Sequence, residues 1–257
     1  MTAANPNEPG QPRPAIPGQV TRDLDHPSVA LAIGAHPDDV EFGAGGTLAK
    51  WAAAGCLVHH LVLTDGSKGT WDPSADTVRL VGVRKEEQRA AARALGATGE
   101  VVFLGEVDGD LEVSMHLREA VSGWIRRLQP EVVLGHDPWK RYRLHPDHRA
   151  AGFITCDAVV AGRDPHFFPG QGLAHHRPRA LLLWEADVPD HLEDVTATVD
   201  AKLAALEAHT SQFESTMGAA DESSLGPFRR RIRDRLADHG RRIGVAAAEA
   251  FALLTDL

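Results

Sequence analysis

The chain has 257 residues, a net charge of -9 and two cysteines. That acid excess excludes a protein built to neutralise nucleic-acid phosphates, which needs a basic face, and no stretch reaches the roughly eighteen uninterrupted apolar residues of a membrane helix. Cys56 and Cys156 lie far apart in apolar or small-residue surroundings and read as reduced thiols, which points to the cytoplasm.

Residues 1–27 are rich in Pro, Gly, Asn and Gln and lack the apolar core of a signal peptide, so a disordered lead-in is expected there and a single domain over 28–257. The apolar run 29–33 predicts a buried parallel strand, ended by Gly34-Ala35-His36-Pro37-Asp38-Asp39. Residues 43–54 then read as a helix with a small-residue start. Its glycines do not make a dinucleotide fingerprint, because the turn before them carries His-Pro-Asp-Asp. A second strand is expected over 57–63, followed by the polar loop 64–70. There Asp65 is a candidate substrate contact, while Ser67 and Lys68 suit either a binding loop or an ordinary connection.

The spacing over 78–95 predicts an amphipathic helix closed by Gly96. Arg84 is either a solvated charge or a partner of Glu87 at i,i+3. A third strand over 101–104 leads to an acidic loop, 105–110, in which Asp108 and Asp110 either bind cations or, as the composition favours, are solvated. A helix over 114–128 has Ser114 as its N-cap and Pro130 beyond its end. The strand 131–134 leads through 136–144, which holds the only tyrosine, Tyr142, to His145-Pro146-Asp147-His148 and a helix over 149–161. Tyr142 is either an amphipathic edge contact or a hydroxyl over the substrate carbonyl. Later come a strand over 180–184, a helix over 199–208 carrying Lys202, a mobile lid over 214–226, and a helix over 228–254. The arginine-rich face of that last helix is either solvated or a contact between copies of the chain.

Alternating strands and helices of this kind make an open α/β sheet, which binds ligands beyond the carboxyl ends of its strands. Both short motifs follow strands, so they belong at that edge. His36, Asp39 and His148 supply two imidazoles and one carboxylate, the three-ligand set of hydrolytic zinc sites; the same donors also suit ferrous iron. Asp38 is then free to act as a base on a water at the metal, and Asp147 is expected beside His145, fixing its tautomer and raising its proton affinity.

With Ala35-His36-Pro37-Asp38-Asp39, Thr64-Asp65-Gly66, Arg84 with Glu87, Leu95-Gly96, His145-Pro146-Asp147-His148 and the weaker His209-Thr210-Ser211-Gln212 in this order, the chain resembles the LmbE-like or PIG-L-type de-N-acetylases over about 29–213. The resemblance implies a Rossmann-like, mostly parallel sheet with helices on both faces. It places metal ligands on His36, Asp39 and His148, the general base on Asp38, a second catalytic histidine on His145, and substrate contacts near Asp65, Arg84 and Tyr142. It also implies hydrolysis of an N-acetyl group on a small amino sugar or glycoconjugate. The rival readings are an amidase of the same family acting on a thiol conjugate or another amide, and a non-catalytic Rossmann-like binding module.

Overall fold

An apolar run without polar alternation must be covered on both faces. Val29–Gly34 has that composition and is the second strand of an eight-stranded sheet in the computed structural model, which describes residues 20–257. In chain order the strands are β1 (Thr21–Arg22), β2 (Val29–Gly34), β3 (Leu57–Thr64), β4 (Val101–Glu106), β5 (Val132–His136), β6 (Ala180–Trp184), β7 (His191–Asp194) and β8 (Ala248–Leu254). The helices are α1 (Asp39–Ala53), α2 (Thr77–Ala94), α3 (Met115–Leu128), α4 (Pro146–Arg163), α5 (Val199–Glu207) and α6 (Gly226–Arg241). The sheet order is β1-β7-β8-β6-β5-β2-β3-β4, parallel throughout except that β8 runs against both its neighbours.

Alternate strand residues feed two helical layers. Ala30, Ala32, Val132 and Leu134 pack with Leu48, Trp51 and Ala91 from α1 and α2. Leu31, Ile33, Val133 and Leu181 pack with Val121 of α3 and Ile154 of α4. The expected helices on both faces are therefore present. From β2 the chain winds outward through β3 to β4, and then crosses back to lay β5 on the other side of β2. That reversal opens a crevice at the carboxyl ends of β2 and β5, where doubly wound sheets take their ligands.

Local signals hold at several ends. Ser114 accepts the Leu117 amide at 3.2 Å as the cap of α3, and Asp76 accepts that of Arg79 at 3.0 Å as the cap of α2. At Gly43 a Cβ would fall 2.4 Å from the Trp184 ring, so only glycine lets α1 cross so close to the end of β6.

Three expectations need correction. The helix predicted over 228–254 stops at Arg241, and Ala248–Leu254 is a strand inserted antiparallel between β6 and β7. Its alanines favour a helix, but Gly244 at φ +73° breaks the run and the strand fills the gap between two partners. Residues 214–226 are not a free lid, since Met217, Ala219 and Leu225 are buried in a third cluster with Leu206, Phe228 and Ile232. The lead-in expected over 1–27 lies outside the described residues up to position 19, but its later part joins the sheet. There Thr21 donates its amide to Asp190 O at 2.8 Å and Asp23 to Leu192 O at 3.0 Å.

Beneath the sheet end, α1 is stitched to β8 by a buried ion pair. Glu249 accepts the amides of Gly46 and Thr47 at 2.9 and 2.8 Å, while Lys202 donates to Phe42 O at 2.8 Å and to Glu249. Among the described residues no helix is long and apolar enough to cross a membrane.

Candidate active site and metal centre

The loop after β2 is only four residues long, and its last residue, Asp38, caps α1 with φ 105°, a left-handed conformation that costs a non-glycine residue energy. Side chains from α2 hold it there. Gln88 Oε1 accepts the Asp38 amide at 2.9 Å, and the Arg84 guanidinium, 3% exposed, reaches Pro37 O, Gly66 O at 2.9 Å and Asp38 Oδ2 at 3.3 Å. The loop also closes on itself, with the His36 amide donating to Asp39 Oδ2 at 2.7 Å. Across the crevice His145 caps α4, and Pro146, fixed in φ, opens it, which puts Asp147 and His148 in a rigid first turn.

His36, Asp39 and His148 thereby meet, although the first two stand more than a hundred positions before the third. His36 Nδ1 lies 3.4 Å from Asp39 Oδ2, and His148 Nε2 lies 3.3 Å from Asp39 Oδ1. The two spacings run to different oxygens of Asp39, Oδ2 for His36 and Oδ1 for His148, and each is close to the separation of about 3.3 Å that bonds of about 2.0–2.1 Å to a tetrahedral zinc put between neighbouring donors. Further donors crowd the same place: His145 with His36 and His148, His136 with Asp39 and His148, and Asp108 with Asp147 around His36. A cleft of about 450 Å³ opens above them, with Lys68, Arg84, Trp184, Glu185, Gln212 and Arg235 among its walls.

The far nitrogen of His36, Nε2, faces Asp147 Oδ2 at 3.0 Å and Asp108 Oδ1 at 3.2 Å. Burial alone would lower the basicity of this ring, yet hydrogen bonds accepted by Asp108 and Asp147 raise it well above the usual histidine value. A carboxylate on the outer nitrogen is what orients a metal-ligating imidazole. This reassigns Asp147, which serves His36 and the amides of Gly109 (2.7 Å) and Leu111 (3.4 Å) instead of His145. His145 packs edge-on to His36 and stacked on His148, and partial burial beside these two rings lowers its pKa, so it rests neutral and not protonated as expected.

Asp38 is 6% exposed. Burial pushes its carboxyl up to about 6, against the pull of Arg84. Below it lies a buried polar layer in which Gln88 Nε2 donates to Glu41 Oε1 at 2.7 Å, and the His209 ring stands 3.4 Å from Glu41. Burial opposes a charge on His209, but Glu41 outweighs it and raises the pKa.

The expected substrate contacts fare differently. Arg84 reaches the cleft wall, and its partner is the Asp38 loop, not Glu87, which instead accepts from Thr210 and Ser211. Asp65 is a loop brace, its Oδ1 accepting the amides of Ser67 at 2.9 Å and Asp108 at 3.1 Å. Tyr142 is 84% exposed at φ 59° with Arg141 against its ring, and it is not on the cleft wall. Two residues join the site beyond the expected set, Asp108 against the solvated role its loop composition favours and His136 without any signal read from the sequence. Asp108 is 5% exposed, not solvated. His136 is the last residue of β5, a strand expected to stop at Leu134; extending it by two would have put this imidazole at the carboxyl edge.

The family model for GlcNAc-PI de-N-acetylase (PIG-L) matches residues 31–159, which spans both motifs. The chain belongs to this family. Diacetylchitobiose deacetylase of Thermococcus kodakarensis is 36% identical over 71% of this chain and 69% of its own length. The solved structure of N,N'-diacetylchitobiose deacetylase from Pyrococcus horikoshii superposes with a TM-score of 0.81 at 30% identity, covering 89% of this chain and 84% of that one. A relative with a differently named activity, 4-oxalmesaconate hydratase of Pseudomonas putida, is 28% identical over 71% of this chain and 73% of its own length. The sheet and site just described thus sit in a PIG-L family fold, as the sequence resemblance implied.

Proposed function

We propose that this protein is a zinc-dependent N-deacetylase that hydrolyses the acetamide of a small amino sugar or glycoconjugate to a free amine and acetate. The observation that carries the reading is the pairing of Asp38 with Asp39: one carboxylate faces His36 and His148, and its neighbour, turned into the same cleft, faces none of the donors. A metal scaffold alone has no use for the second carboxylate, held in a strained backbone by Arg84 and Gln88.

His36, Asp39 and His148 would hold the cation, which when bound polarises the amide carbonyl and makes water more acidic. With its carboxyl near 6, Asp38 is mostly ionised at pH 7 and takes the proton of the attacking water. Neutral His145 donates its N–H to the oxygen that gains charge as the carbonyl carbon becomes tetrahedral. Asp38, now carrying a proton in surroundings that favour its neutral form, delivers it to the departing nitrogen. Asp108 and Asp147 keep His36 in one orientation throughout.

Two free cysteines with high pKa values, about 11 for Cys56 and about 12 for Cys156, support a cytoplasmic setting in which neither thiol is reactive. The test is acetate release from diacetylchitobiose and a panel of N-acetylated sugars, before and after chelation, with zinc or ferrous iron added back. Metal-restored release supports the proposal. No release from any amide, or turnover only of an unsaturated acid in the manner of a hydratase, overturns it.

A further inference from the structure

His136 is an imidazole of the cluster whose proton the surroundings locate. Its ring is 2% exposed, stacked on His148 with centroids 4.4 Å apart and met edge-on by Trp184 at 5.0 Å, so it cannot turn. Nδ1 accepts the indole N–H of Trp184 at 3.0 Å and lies 3.3 Å from Nη1 of Arg143, which Glu185 holds at 2.9 Å. Indole nitrogen and guanidinium only donate. A proton on Nδ1 would face two others, so Nδ1 bears a lone pair and the ring's proton is on Nε2. A nitrogen that keeps its proton cannot ligate a metal.

Nε2 is buried without a well-aligned hydrogen bond and lies 3.2 Å from Asp39 Oδ2. That oxygen already receives the His36 amide at 2.7 Å, whereas Oδ1 faces His148 and receives no N–H from the described residues. We infer that Trp184 and Arg143 lock His136 as an Nε2–H donor, which occupies Asp39 Oδ2 and leaves Oδ1 as the oxygen offered to the metal. His136 is on this account a positioning residue, although it stands among donors spaced as ligands. The lock explains why β6 ends on a tryptophan that α1 must cross at a glycine. It also keeps a fourth protein ligand from closing the position that substrate needs. The inference rests on the proposed metal site but not on the substrate.

The test is long-range proton–nitrogen NMR on the full chain labelled with ¹⁵N-histidine, metal-free and then zinc-loaded. His136→Gln assigns the signal. Expected in both states is a protonated Nε2 and an unprotonated Nδ1. A protonated Nδ1, or loss of the Nε2 proton when zinc binds, overturns the inference. Zinc affinity by competition with a chromophoric chelator gives a second readout. His136→Leu should weaken binding about 10–100-fold, as loss of an orienting partner does, and His136→Gln, which keeps an N–H donor, should restore most of it. Equal losses in the two variants, both folded by circular dichroism, would make His136 a ligand. A protein that releases no acetate yet shows the Nε2–H tautomer refutes the deacetylase reading and leaves this one standing.

Discussion

Replacing Arg84 by Met should move the pH dependence of catalysis. In the structure the guanidinium is buried and 3.3 Å from Asp38 Oδ2, while burial has already pushed that carboxyl up to about 6. At an effective dielectric of about 20 the attraction at this distance is about 5 kcal/mol before the opposing costs of desolvation. A neighbouring arginine ordinarily lowers an aspartate by about 1–3 pKa units, or about 1.4–4 kcal/mol. The base works only ionised, so activity falls as pH drops through the pKa of Asp38, and removing the cation should raise that limb by about 1–3 units. The assay is kcat/KM for acetate release between pH 4 and 9 on parent, Arg84→Met and Arg84→Lys. A bound cation lowers the limb in all three alike, so the difference between variants keeps its meaning. Arg84→Lys should leave the limb within about half a unit of the parent. A limb that Arg84→Met does not move, in a protein that still melts cooperatively, would refute Asp38 as the titrating base.

Asp38→Asn should retain metal at parental stoichiometry, measured by elemental analysis, while turnover falls by about 100-fold or more, the contribution of a positioned base. Loss of metal in this variant would make Asp38 a ligand. Lys202→Met leaves Glu249 uncompensated against α1, and breaking a buried pair costs about 3–5 kcal/mol, so the melting temperature should drop by about 10 °C. A drop below about 3 °C would show that the amides of Gly46 and Thr47 suffice to hold Glu249. Gly43→Ala should displace the Trp184 ring, read as a shift in tryptophan fluorescence together with weaker zinc binding. Unchanged emission would mean α1 yields instead.

The meeting of His36, Asp39 and His148, the proposed metal ligands, was legible because both motifs follow strands, the first directly after β2 and the second across the loop after β5, and strand ends are where an α/β sheet turns its side chains outward. What α/β topology adds is the crossing from β4 back to β5, which brings the two motifs face to face. The partners of those ligands were harder to see. Asp147 next to His145 in sequence looks like its partner, but the first turn of α4 points successive residues apart, so Asp147 reaches His36 instead. Asp108 lies in a stretch with the composition of any solvated loop; only amides from Gly109 and Leu111 folding onto Asp147 bring it inward. Local composition likewise misled over β8, where alanine's preference for helix loses to two waiting strand edges. Tyr142 drew notice as the sole tyrosine, and rarity carries no information about direction.

The central claim is that one cation is held by two segments far apart in the chain, with Asp38 beside it and unbonded. Anomalous diffraction at the zinc edge on zinc-soaked crystals tests this directly. The account predicts a single peak about 2.0–2.1 Å from His36 Nδ1, Asp39 Oδ1 and His148 Nε2. A peak instead on the other side of His36, bonded to Nε2 with Asp108 and Asp147, or a bond from Asp38 itself, would contradict it.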